Sequence, residues 1–135
     1  MRLLIYVALM GLATHALANN IIEGNQGSKI KGSVVERFQN PWAMSFISPD
    51  RLIVTTKSGD LWLVNTKGEK SLVGSFPKVL YGGQGGLGDV VPHPNFKQNK
   101  FIYISYISSD TAGDTRYATV VRAELNIKHS PKLEN

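Results

Sequence analysis

Apolar residues along this chain come in short runs, most alternating with polar neighbours. A period of two predicts β-strands, whereas a helix repeats near 3.6 residues. WAMSFI (42–47) sets Trp42, Met44 and Phe46 on one side and Ala43, Ser45 and Ile47 on the other. RLIVTT (51–56), LWLVN (61–65) and KSLVGS (70–75) follow, rich in β-branched and large apolar residues. Ahead of them, SVVERF (33–38) alternates only weakly. The breaks carry turn chemistry: Asn40-Pro41, Ser48-Pro49-Asp50, Lys57-Ser58-Gly59-Asp60 and Thr66-Lys67-Gly68-Glu69. The second half repeats the theme with LGDVV (87–91), FIYISYI (101–107) and RYATVVRAEL (116–125). Pro92-His93-Pro94-Asn95 predicts a turn there, and SSDTAGD (108–114) an open polar loop.

Strands separated by turns at about ten-residue intervals predict an all-β sandwich, barrel or propeller. NPWAMSFISPDRLIVTT and GLGDVVPHPNFKQNKFIYISY share one plan: apolar strand, Pro-containing turn, β-branched strand. Their offset of about 45 residues is the length of a propeller blade. A propeller closes with about four to eight blades, and only two are legible here. The chain is therefore either a small sandwich or a portion of a longer protein.

The first residues change the count. MRLLIYVALMGLATHALA opens with Arg2, continues with an apolar run from Leu3 to Leu12, and ends in Ala16-Leu17-Ala18. That is the layout of a secretory leader over residues 1–18, with cleavage near Ala18. The apolar run falls short of the roughly 20 residues a membrane span needs, and no later stretch is apolar enough. Residues 19–32, polar and glycine-rich, are expected to be a flexible lead-in, and 33–135 the β domain. An exported chain with no cysteine suits a bacterial periplasm better than a disulfide-forming secretory route. It also excludes thiolate metal sites and a cysteine nucleophile. The net charge is +5, but lysines and arginines are scattered, which argues against a nucleic-acid footprint.

The chemistry gathers in GGQGG (82–86), where four glycines surround Gln84. A phosphate loop would need a Lys-Ser/Thr pair and a following helix, and neither is present. A metal site fails too: Asp89 and His93 are four apart with no third ligand near, His15 lies in the leader, and His129 in a polar tail. Two readings remain open on pattern alone. One is a structural turn; the other is a loop whose glycines let the backbone approach a ligand while Gln84 orients it. An uncharged amide donates and accepts hydrogen bonds but does not abstract protons at neutral pH.

NPWAMSF, RLIVTTKSGDLWLV and GGQGGLGDVVPHPNFKQNKFIYISY together resemble the N-terminal part of the soluble glucose/sorbosone dehydrogenases. The resemblance runs from about Gly32 to about Leu125, and GQGGL followed by DVVPHPNF is its most specific stretch. It implies two blades of a six-bladed β-propeller, a fragment of the full fold. It also implies pyrroloquinoline quinone (PQQ) and calcium as cofactors, and oxidation of an aldose to its lactone with transfer to an electron acceptor. Gln84 would lie beside the quinone and the sugar, with Gly83 and Gly85 shaping the loop. Asp89 is expected to brace that loop. His93, in a Pro-flanked turn at the far end of the strand, is expected to be structural rather than the catalytic base. The family's base and most cofactor ligands lie downstream, so no catalytic residue and no metal ligand is assigned here. The chain alone is expected to be inactive. Two alternatives stay open: a non-enzymatic periplasmic propeller used for binding, and a self-contained small sandwich.

Overall fold

The computed structural model describes residues 20–74, 78–110, 113, 115–128 and 130–134. The leader expected over 1–18, and His129, lie outside the described residues. The chain divides into two compact units, up to Val34 and from Val35 onward.

In the first unit, within the stretch whose composition predicts a flexible lead-in, β1 (Asn20–Glu23) and β2 (Lys29–Gly32) form an antiparallel hairpin. Isoleucines explain the pairing. Ile22 sits opposite Ile30, and β-branched cross-strand pairs favour a ladder. The Glu23 carboxylate also meets the Lys29 ammonium at 3.5 Å.

The second unit holds two four-stranded antiparallel sheets. The first is a meander of β3 (Pro41–Ser48), β4 (Arg51–Thr56), β5 (Leu61–Asn65) and β6 (Lys70–Leu72). The second runs β7 (Leu87–Pro92), β8 (Phe101–Ser109), β9 (Arg116–Asn126) and β10 (Lys132–Glu134). The turns close as their residue types predict. The Asp50 carboxylate accepts the Ser48 hydroxyl at 2.7 Å, and Asn65 Oδ1 accepts the amides of Lys67 and Glu69 at 3.0 Å each. Segment 33–40 forms no strand, although Phe38 packs its ring against Trp62.

Two elements depart from the pattern. Residues Phe96–Asn99 form a single helical turn, α1, that buries Phe96 and ends at Lys100 in the left-handed region. Lys132–Glu134, which the sequence pattern does not predict as a strand, forms β10, with Leu133 buried at its centre and paired with Leu125.

The two sheets share one core. Ile53 and Leu61 from the first meet Ile102, Ile104 and Leu125 from the second, all fully buried. Each such side chain contributes roughly 1.5–3 kcal/mol of transfer free energy. The phase read from the sequence holds: Ile47 enters this core and Ser45 donates its hydroxyl to the Val90 carbonyl at 2.7 Å. Trp42, Met44 and Phe46 stay exposed on the opposite face. The first strands of the sheets, β3 and β7, pack side by side. Further out, Gly74 bridges Lys132 in parallel, with the Leu133 amide donating to the Gly74 carbonyl at 3.0 Å. Each sheet keeps its strands in chain order and none crosses over. That is the plan of consecutive propeller blades, where a Greek-key sandwich would exchange strands between sheets.

Candidate functional site

The glycine loop sits between the blades, immediately before β7. Gly82 and Gly85 pair as a tight turn: the Gly85 amide donates to the Gly82 carbonyl at 2.9 Å, and the reverse bond is 3.4 Å. The central residues are Gly83, at φ +56°, and Gln84, which is not in the positive-φ region. Positive φ at the first central position only is the sign pattern of a II′ turn, which favours glycine there. Gln84 consequently rides the tip, exposed. The base of the loop is tied to the end of β8. The Leu80 amide donates to the Ile107 carbonyl at 2.9 Å, and the Ile107 amide to the Gly86 carbonyl at 3.0 Å.

Gly86 explains the fourth glycine. Its φ is +148°, and a Cβ on it would collide with the Lys57 carbonyl. Close backbone approach between blades therefore requires glycine at this position. Around Gly82 and Gly83 the situation is reversed: a Cβ at either meets nothing within 4 Å.

Two residues that pattern reading does not flag join the loop. Lys57, just beyond β4, donates from Nζ to the Gly83 carbonyl at 3.0 Å. The same ammonium lies 5.1 Å from the centre of the Trp42 ring, a cation–π distance. Trp42, Lys57 and Gln84 line a cleft of about 230 Å³ with Gly88, Ser105 and Tyr106. The Lys57–Gly83 contact crosses from one blade to the next, whereas Trp42 and Lys57 belong to the same blade. The available signals were a tryptophan in the exposed phase of its strand and a lysine directly after a buried one.

The other singled-out residues lie elsewhere. Asp89 is exposed, and its backbone amide rather than its carboxylate is engaged, donating to Ser105 Oγ at 2.9 Å. A register shift in β7 between Leu87 and Val90 accompanies this placement. Among the described residues the Asp89 carboxylate does not brace the loop by a hydrogen bond. His93 stands past the opposite end of β7. Its Nδ1 accepts the Asn95 amide at 2.9 Å and faces Asn99 Nδ2 at 2.9 Å, while its ring stacks on Tyr103. Those contacts fix the turn that leads into α1. Among the described residues no three His, Asp or Glu side chains converge as metal ligands, and no helix is long and apolar enough to cross a membrane.

Residues 38–135 match the family model described as Glucose / Sorbosone dehydrogenase. The chain is 36% identical over 90 residues to the aldose sugar dehydrogenase YliI of Escherichia coli K12, covering 64% of this chain and 23% of that one. A solved glucose dehydrogenase superimposes with a TM-score of 0.66 at 28% identity, over 72% of this chain and 30% of that one. The PQQ-bound aldose sugar dehydrogenase of Streptomyces coelicolor shares the fold at a TM-score of 0.60 and 21% identity, over 72% and 30% of the two chains. The chain thus spans 23–30% of the length of these proteins, as a portion of a β-propeller.

Proposed function

Because the chain belongs to the glucose/sorbosone dehydrogenase family, we propose that it forms the N-terminal part of a PQQ-dependent dehydrogenase. The reaction is oxidation of the anomeric hydroxyl of an aldose to the lactone, with an external electron acceptor. The observation that carries this reading is the turn at Gly82–Gly85, which holds Gln84 at an exposed tip beside open space.

The residues present fit a flat, anionic quinone. The backbone at Gly82 and Gly83 leaves room for a ring, and the adjacent charge is the Lys57 ammonium. Gln84 would hold the cofactor through its side-chain amide, with Gly83 and Gly85 shaping the approach. When bound, the quinone supplies the two-electron acceptor for the sugar. Gln84 can donate to one oxygen and accept from another, which orients a hydroxyl without titrating. Removal of the hydroxyl proton is assigned to no residue of this chain, since His93 stands at the far end of β7. Calcium is likewise assigned to none. The leader-like pattern of the first 18 residues supports a periplasmic location.

General-base help is typically worth about 10²–10⁴-fold. The 135-residue chain, supplied with PQQ, calcium and glucose, is expected to give no dye reduction above background. Turnover near that of a full-length family enzyme overturns the assignment of the base to residues outside this chain.

A further inference from the structure

We propose that Lys57 is the positioning residue for the Gln84 turn, acting as a latch on the Gly83–Gln84 peptide plane. The inference rests on Gln84 being the ligand-facing residue of the proposed site.

In a four-residue turn the carbonyl of the first central residue belongs to the central peptide. Rotation of that peptide converts a II′ turn into a I′ turn. Here that carbonyl is Gly83 O, and Lys57 Nζ donates to it at 3.0 Å. The tip has little packing to hold it, because the space around Gly82 and Gly83 is open. Lys57 is in turn held from three directions. Its backbone amide donates to the Asn40 carbonyl at 3.0 Å, its carbonyl accepts the Leu87 amide at 3.2 Å, and its ammonium rests over Trp42. One residue of the first blade thus grips the second-blade loop at Gly83 on one side and at Leu87 on the other.

The consequence for a ligand follows from peptide geometry. No peptide bond described is cis, so the Gln84 N–H points opposite to the Gly83 carbonyl. With the carbonyl drawn to Lys57, the N–H is directed away from the ammonium. A ligand oxygen at the tip then meets two donors from one residue, the Gln84 backbone N–H and its side-chain amide. In the flipped plane the N–H would face the ammonium, and Gln84 would need positive φ, which a residue with a Cβ disfavours.

The test uses the 135-residue chain and amide NMR, reading hydrogen exchange at Gly85 and the Gln84 and Gly85 resonances. Lys57→Met is expected to raise Gly85 exchange by about tenfold or more, as loss of a charged hydrogen bond implies. It is also expected to shift or split the Gln84 signal, while Ile104 in β8 is unaffected. Lys57→Arg, which still carries a donor, is expected to restore the original spectrum. Gln84→Gly, which removes the penalty on positive φ, is expected to loosen the turn with Lys57 intact. Unchanged Gln84 and Gly85 signals in Lys57→Met overturn the latch, as does a loss of protection spread evenly through β4 and β8. A loosened turn in Lys57→Met supports the latch whatever Gln84 contacts, because the readout needs no cofactor.

Discussion

The Thr55 hydroxyl donates to the Gly88 carbonyl at 2.8 Å, joining the second strand of one blade to the first strand of the next. The same oxygen accepts the Ala43 amide at 3.1 Å, and Thr55 has no solvent exposure. One buried hydroxyl therefore satisfies backbone groups on both neighbouring strands. Thr55→Val keeps the shape but strands both partners, at an expected cost of about 2 kcal/mol. Thr55→Ser keeps the hydroxyl and removes one methyl, at about 1 kcal/mol. Urea unfolding of the two variants checks the order; a valine variant as stable as the parent contradicts it.

Gly86 and Gly83 are expected to differ in how they tolerate a side chain. Both have positive φ, but a Cβ on Gly86 strikes the Lys57 carbonyl whereas one on Gly83 enters open space. Gly83→Ala is expected to cost about 1–2 kcal/mol, the strain of the left-handed region alone. Gly86→Ala adds the collision and is expected to cost more and to displace the loop. Chemical denaturation ranks the pair, and equal stabilities would remove the close approach from the explanation.

The shared core predicts that the two blades unfold together. Ile53→Ala in β4 and Ile104→Ala in β8 each empty a fully buried position and are expected to cost about 2–5 kcal/mol. Met44→Ala, on the exposed face of β3, is expected to stay within about 0.5 kcal/mol. Fluorescence and circular dichroism transitions should coincide in each variant. Separate transitions for the two sheets would contradict a common core.

Much of the blade plan was legible because strands in a half-buried sheet announce themselves. RLIVTT and FIYISYI read directly, as did the split of Ala43, Ser45 and Ile47 from Trp42, Met44 and Phe46. Local pattern failed where a single residue carries an element. Leu133 alone marks β10, and Phe96 alone marks a four-residue helix too short to show a period. In the site, Gln84 was legible because glycine types report backbone freedom. Lys57 was not, because its contact with Gly83, 26 residues on, exists only once the blades dock; Trp42 was not, because its partner Lys57 lies 15 residues on, just past the neighbouring strand of the same sheet. Asp89 was expected to brace the loop, and the register shift in β7 accompanies a different outcome.

Acid is expected to loosen segment 33–40 as pH falls below the ordinary carboxylate range. The Glu36 carboxyl is held below its ordinary range, first by the Arg37 amide at 2.7 Å and then by Lys70 at 3.2 Å. The Lys70 ammonium also lies over the Phe38 and Trp62 rings. A carboxyl with a lowered folded pKa contributes stability that is fully present above its ordinary pKa. That contribution is lost as pH falls through the lower folded value. Glu36→Gln should therefore flatten the acid limb of the stability profile while leaving the limb above neutrality parallel to the parent. The effect is small because the pair is exposed to solvent. A Glu36→Gln variant whose acid limb matches the parent contradicts the role given to this carboxylate.

The central claim is that Gln84 is carried on a blade junction so that it faces the quinone and sugar of a family enzyme. The direct measurement is a chimera in which this chain replaces the matching portion of the E. coli aldose sugar dehydrogenase YliI, loaded with PQQ and calcium and assayed with an aldose. The parent chimera is expected to oxidise the sugar. Gln84→Ala is expected to lower kcat/KM by about 10–100-fold, the loss of one or two oriented hydrogen bonds, with an unchanged unfolding midpoint. A Gln84→Ala chimera as active as its parent would contradict the claim.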